Sequence, residues 1–346
     1  MDDLAMERRV FLKIAGIGTG SLAFGAGMAD AATPVSTTMT SVVEQFDWIA
    51  NSRILGEVVA RDLGYYEDEG IRFSIALGGP HNTGVASVAS GYATLGLLSS
   101  SPTLMAARAG DIPLKCIAAG FQRHPLTFYS LPDNPIRTPQ DMRGKRIGIA
   151  RPGFNLVQAV MSKNGIAEDE VQIVALGGDI APLFNGQVDA ISAWATDATK
   201  LKPLGPDRVA LSLWDSGVQL YANPYYTTDT MLQERPEVIA AFLRGTARGW
   251  AYARGNPEQA VDILVRSYPM LDRNGELLAL RAALSFVFDE QTKMEGWGTM
   301  RKDTWADQIR LFDSIGQFSG QDVPTVDDVM TLSMLNATAD QRPKIG

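Results

Sequence analysis

Along the chain, apolar positions switch between a period of two and a period near 3.6, and they do so twice in the same order. Ser41–Phe46 reads as a short buried strand, followed by a loop over residues 47–51. Arg53–Leu63 sets Leu55, Val58, Val59 and Leu63 at helical spacing. In Ile71–Leu77 the apolar residues alternate with Arg72, Ser74 and Ala76, which predicts a strand ended by Gly78-Gly79-Pro80. A helix over Asn82–Ser90, stopped by Gly91, and a buried strand over Ala93–Leu98 complete the first set. The second set runs as strand Lys145–Ala150, helix Phe154–Asn164, strand Val171–Leu176, a short helix to Asn185 closed by Gly186, and strand Val188–Trp194. Ala76-Leu77-Gly78-Gly79 returns 99 residues later as Ala175-Leu176-Gly177-Gly178.

Each set is a βαβαβ unit, and parallel strands joined by helical crossovers make an open α/β sheet. The pattern predicts an α/β protein of two lobes, each an open mixed sheet flanked by helices. Such sheets hold ligands beyond the carboxyl ends of their strands, so two facing lobes define a cleft. Leu114–Phe121 reads as a linking strand that leaves the first lobe, and Phe128–Leu131 as the start of the second. The return is expected near Leu213–Tyr221, and the helical spacing after Thr228 sends the remaining chain back onto the first lobe. Lobe 1 is thus expected over residues 40–122 and 222–340, and lobe 2 over residues 123–221.

Composition narrows the class. With 346 residues, 45% hydrophobic and 20% charged, the chain is globular and suits roughly two domains of ~150 residues. A net charge of -8 argues against a broad basic face for nucleic acid. One cysteine and two histidines exclude an intrachain disulfide and a Cys₂His₂ or Cys₄ zinc site, and no pattern asks for a metal or cofactor. The N-terminus is set apart from the fold. Arg8-Arg9-Val10-Phe11-Leu12-Lys13, an uncharged Gly- and Ala-rich run to Ala29, and Ala29-Asp30-Ala31 compose a cleaved export signal over residues 1–31, similar to the twin-arginine type. Gly16-Ile17-Gly18-Thr19-Gly20 follows no strand and is no dinucleotide loop. The expected compartment is the periplasm, where a lone buried Cys116 cannot form an internal bridge.

The candidate lining follows from the strand ends. From lobe 1 it comprises Trp48, Asn51, His81, Asn82, Ser99, Ser100 and Ser101; from lobe 2, Arg151, Phe154, Asn155, Trp194, Thr196 and Asp197. Trp48 and Trp194 stand at matching places, and two indoles facing one gap would stack a planar ligand. Phe121 and Phe154 extend that sandwich or belong to the core. Ser100 and Ser101 precede Pro102, so helix capping and ligand contact coexist there, as they do for Asn51, Asn82 and Asn155. Arg151 offers two-point contact to an anion or is a surface charge. Asp197 and Asp215 are acids near the cleft that would accept from ring N–H groups. Tyr221 reaches the ligand or packs at the hinge. Gly144-Lys145-Arg146 lacks the upstream glycine of a phosphate loop and reads as a turn before a strand.

Several ordered fragments carry a resemblance. Asp47-Trp48-x-x-Asn51, Gly64-Tyr65-Tyr66-x-x-Glu69-Gly70-Ile71, Ser90-Gly91-x-Ala93, Ala118-Ala119-x-x-Gln122-x-x-Pro125, Asp141-Met142-x-Gly144-Lys145-x-Ile147-Gly148, Gly186-x-Val188-Asp189-Ala190 and Asn256-Pro257-x-x-Ala260-Val261 follow one another along residues 43–290. Together they resemble the thiamine-precursor-binding-like family of periplasmic solute-binding proteins of ABC importers. The resemblance implies the type II binding-protein fold and ligands among nitrate, sulfonates, taurine, pyrimidines and riboflavin. It adds Gln122 to the candidate site. Ile54 stands where pyrimidine-binding relatives carry a histidine. The implied activity is capture without chemistry, by a monomer whose partners are a small planar solute and the permease and ATPase subunits of the importer. A sulfonate-type anion binder and a secreted enzyme on the same scaffold are the alternatives; no G-x-S-x-G, HExxH or Cys–His pairing supports the enzyme.

Overall fold

A computed structural model describes residues 39–79 and 84–345. The export-signal reading, His81 and Asn82 lie outside the described residues. The strands are β1 (Thr40–Phe46), β2 (Ile71–Ala76), β3 (Leu95–Leu97), β4 (Leu114–Phe121), β5 (Leu126–Ser130), β6 (Arg146–Ile149), β7 (Gln172–Ala175), β8 (Ala190–Trp194), β9 (Val209–Ser212) and β10 (Ala222–Thr228). They form two five-stranded sheets, ordered β2-β1-β3-β10-β4 and β7-β6-β8-β5-β9.

The two sheets repeat one plan. In the first, β1 lies parallel between β2 and β3, and β10 is antiparallel to both β3 and β4. In the second, β6 lies parallel between β7 and β8, and β5 is antiparallel to both β8 and β9. The internal match of the sequence has a structural counterpart: β2 and β7, which precede the two Gly-Gly pairs, are the edge strands at equivalent ends. Gly91 and Gly186, which close the short helices before β3 and β8, have φ of +77° and +67°. A Cβ would be strained in both, so the turn selects glycine. The mixed character of each sheet comes from a strand that follows a crossing: β5 as the chain enters the second sheet, β10 as it re-enters the first.

Strand β10 carries no period-two signal. Residues Ala222–Thr227 are all buried, so alternation is absent, and Pro224 with a bulge between Tyr225 and Tyr226 further masks the strand. The outer edge of β4 is covered by the C-terminal segment, where Cys116 bridges Met330 and Thr331 N–H donates to the Cys116 carbonyl (3.0 Å).

Helix Leu55–Asp62, which follows a 3-10 turn at Ser52–Ile54, packs on the long helix Pro236–Gly255. Two glycines set their separation. A Cβ on Gly249 would stand 1.9 Å from the Gly56 carbonyl oxygen, and one on Gly56 would strike the Trp250 ring at 2.2 Å. This close crossing seats the turn that carries Arg53 against the end of β1. Elsewhere the Gly144-Lys145-Arg146 turn proves structural. Gly144 N–H donates to Glu170 O at 2.6 Å, and Arg146 grips Asp189 through its backbone N–H (2.8 Å), Nε and Nη2 (both 3.0 Å). Among the described residues no helix is long and apolar enough to cross a membrane.

Candidate functional site

The carboxyl ends of β1 and β3 and the start of β10 meet at one point. Asp47, the residue after β1, accepts through Oδ2 from the backbone N–H and the hydroxyl of Ser99 (2.5 and 2.6 Å). Its Oδ1 faces Arg53 Nη2 at 3.4 Å, both side chains being about nine-tenths buried. Arg53 Nε donates to Asn223 Oδ1 at 2.9 Å. Asn223 is wholly buried and adopts φ +52°, a conformation that asparagine tolerates better than most residues. The Arg53 guanidinium lies 4.8 Å from the Phe46 ring centroid and 4.6 Å from that of Trp194. Trp194 ends β8, so this cation–π stack joins the two sheets. Burial pulls the Arg53 pKa down, opposed first by the Asp47 charge.

Around the stack, His124 meets the Trp194 ring edge-on at 5.5 Å and Phe121 lies 6.2 Å away. His124 is buried, its Nδ1 accepts from Leu126 N–H (3.1 Å), and burial, with the Arg53 charge, pushes its pKa down to about 3. The ring is therefore neutral at ordinary pH, with its proton on Nε2. Asp197, exposed at the amino end of the short helix Ala198–Leu201, has its pKa raised by desolvation, with Lys200 and Arg53 opposing. That helix packs on Arg273–Val287, while Phe154–Lys163 packs on Lys302–Ser314 and Asn155 Nδ2 donates to Gln317 Oε1 at 2.8 Å. The two lobes thus touch on both flanks as well as at Arg53 and Trp194.

The remaining expected residues divide. Trp48 is 39% exposed, and its carbonyl accepts from Gly78 N–H (3.0 Å). No ring contact joins it to Trp194, whose face is taken by Arg53. Asn51 caps the Ser52–Ile54 turn, accepting from Arg53 N–H at 2.9 Å. Ser99 serves Asp47, whereas Ser100 keeps a shielded hydroxyl with no partner. Arg151 is exposed, and Phe154 and Asn155 are half-buried. Thr196 is buried beside the Trp194 turn. Asp215 lines a depression of about 290 Å³ together with His124, Thr127 and Trp214.

Four expected residues turn out to serve packing. Ser101 is fully buried and its hydroxyl donates to Gln308 Oε1 (2.6 Å). Gln122 spends its amide on the carbonyls of Ala119 and Thr299 (3.2 and 3.1 Å). The Tyr221 hydroxyl accepts from Arg301 N–H (3.0 Å). Phe121 is wholly buried among Trp194, Trp250 and Phe286. In each the polar or aromatic group is satisfied within the protein. Arg53 and Asn223 carry no mark of a site role in the sequence. A buried arginine runs against the usual exposure of that residue type, and an asparagine occurs at many positions without a positive φ.

Two open five-stranded mixed sheets of like order, flanked by helices, make up the periplasmic-binding-protein fold. The periplasmic aliphatic sulphonate-binding protein SsuA from Escherichia coli superimposes with a TM-score of 0.66 over 83% of this chain and 91% of its own, at 15% identity. The chain belongs to the NMT1/THI5-like family, whose model matches residues 51–260. Among curated relatives, the riboflavin-binding protein RibY of Chloroflexus aurantiacus is 25% identical over 78% of this chain and 79% of its own. The 4-amino-5-hydroxymethyl-2-methylpyrimidine phosphate synthase of Legionella pneumophila is 25% identical over 68% and 77% respectively.

Proposed function

We propose that this protein is the periplasmic solute-binding component of an ABC importer, and that it captures a small planar aromatic or heterocyclic solute between its lobes without transforming it. The observation that carries this reading is the stack of Trp194, from one sheet, on Arg53, held by the other. Groups that contact a ligand from both sides favour the closed form, because only then does binding discriminate open from closed. A closed shape is what membrane subunits would recognise. The names of two relatives, one for a flavin and one for a pyrimidine, support a planar heterocycle. Capture without chemistry is supported by the state of the only thiol, Cys116, which is buried with its pKa raised by burial. The chain is read as an exported monomer.

The test is a thermal-shift panel of flavins, pyrimidines, aromatic acids and aliphatic sulfonates, followed by calorimetry. A true ligand at ~100 times its Kd adds about 2.7 kcal/mol of stability. Trp48→Ala and Trp194→Ala are each expected to weaken that ligand at least roughly tenfold with the fold retained. Unchanged affinity in both variants would overturn the cleft assignment. Recovery of a converted product after incubation would favour the enzyme.

A further inference from the structure

The Arg53 guanidinium touches both lobes at once. In lobe 1 its Nε donates to Asn223 Oδ1, its Nη2 is ion-paired with Asp47 Oδ1, and it lies over the Phe46 ring. In lobe 2 it lies over the Trp194 ring, 4.6 Å from the centroid. The lobe 1 partners are themselves fixed. Asp47 accepts twice from Ser99, through its N–H and its hydroxyl. Asn223 is wholly buried near the start of β10, where the chain re-enters lobe 1 after the second crossing. On the other side, Trp194 is set by Phe121 and His124 at the first crossing. The stack therefore stands beside both crossings, where a small rotation of one lobe on the other makes or breaks it.

Ordering a free arginine side chain would offset most of what a cation–π contact returns. Arg53 escapes that cost at closure, because Asn223 and Asp47 already hold it within lobe 1. The other lobe-to-lobe contacts are weaker candidates for holding the lobes together. Asn155 Nδ2 donates to Gln317 Oε1 (2.8 Å) in a half-buried place, and the Ser162 and Ser314 hydroxyls meet at 3.5 Å on the exposed surface. Water replaces such bonds at little cost when they separate. The Arg53 stack is desolvated, with Arg53 only 9% exposed, and a cation–π contact gains strength when water is excluded. We propose that Arg53 is a built-in latch and a positioning residue for capture: braced by Asp47 and Asn223, it closes on Trp194 and biases the lobes toward the closed form through protein contacts alone. This rests on the solute-capture reading and deepens it, since a solute then completes a closure that the chain itself favours.

The experiment measures the lobe-to-lobe distance in the full exported chain without added solute, after refolding from urea to strip any co-purified compound. Spin labels on Tyr92→Cys and Phe184→Cys report it by double electron–electron resonance. Both positions are exposed, one in each lobe, ahead of β3 and β8, and the buried Cys116 leaves the label to the introduced thiols. Wild type is expected to show mainly one short-distance population. Arg53→Met and Trp194→Leu are each expected to shift the closed-to-open ratio roughly twofold to thirtyfold toward open. The double variant is expected to go no further than either single one, and Trp194→Phe, which keeps an aromatic face, to stay near wild type. Arg53→Met strands Asp47 without its cation; should it fail to fold, Trp194→Leu, which leaves the lobe 1 brace intact, decides. Distances unchanged in folded Trp194→Leu overturn the latch, as does an additive double variant or a wild type that is already mostly open. If the latch falls while a compound of the thermal-shift panel still binds, the solute-capture reading stands. If the variants open as expected but no compound of that panel stabilises the protein, the capture reading falls and the latch stands.

Discussion

Glu57 offers the sharpest physical test of the structure around the site. It sits one helical turn beyond Arg53, wholly buried, with Oε1 accepting from the Tyr225 hydroxyl and Oε2 unpartnered. Glu44 of β1 is also wholly buried, its carboxylate has no hydrogen-bond partner, and its charge acts on the same Tyr66 and Tyr225 hydroxyls as that of Glu57. Desolvation pushes the Glu57 pKa from 4.5 to about 7, against the opposing effects of the Tyr225 hydrogen bond and the Arg53 charge. Desolvation and the neighbouring Glu57 also raise Glu44. Between these pH values the folded state binds more protons than the unfolded chain, so stability falls as pH rises. The contribution is intact below the unfolded value of 4.5 and is lost as pH climbs through about 7. At ~1.4 kcal/mol per tenfold change in proton affinity, ionised Glu57 costs about 3 kcal/mol at about pH 8. Glu57→Gln keeps an oxygen for Tyr225 and never ionises. Urea unfolding is expected to show the variant about 2–3 kcal/mol more stable than wild type at about pH 8, with little difference at about pH 5. A difference independent of pH, or a variant weaker at the higher pH, would refute the buried-acid reasoning.

Gly249→Ala tests the helix crossing that seats Arg53. The new methyl meets a backbone oxygen at 1.9 Å, which no rotamer change relieves, so a loss of about 2–3 kcal/mol is expected in denaturant unfolding. An unchanged unfolding midpoint would show that the helices separate freely. Replacing Arg8 and Arg9 together by lysine is expected to keep the protein out of the periplasmic fraction of cells that export it by the twin-arginine route. Undiminished export would assign the N-terminus to a different route.

Much of the fold was legible because it is local. Alternation in Ile71–Leu77, helical spacing in Arg53–Leu63, and glycines at positive φ before β3 and β8 are properties of short segments. They sufficed to predict two like βαβαβ units and to place the strand ends. The partner strands β5, β9 and β10 were not legible in the same way. Their pairing is antiparallel and set by neighbours more than sixty residues distant, as Phe128 with Ser192 shows, and β10 is buried on both faces. The site divides along the same line. Trp48 and Trp194 could be placed by strand-end logic alone. The burial of Arg53 could not, since it depends on Asn223, 170 residues away, and on an indole carried by the other lobe. Local sequence determines the strands of the two βαβαβ units and where their ends gather. Which polar atoms are left unpaired there is decided only when distant chains meet, because hydrogen-bond satisfaction belongs to the whole packed structure rather than to any segment of it.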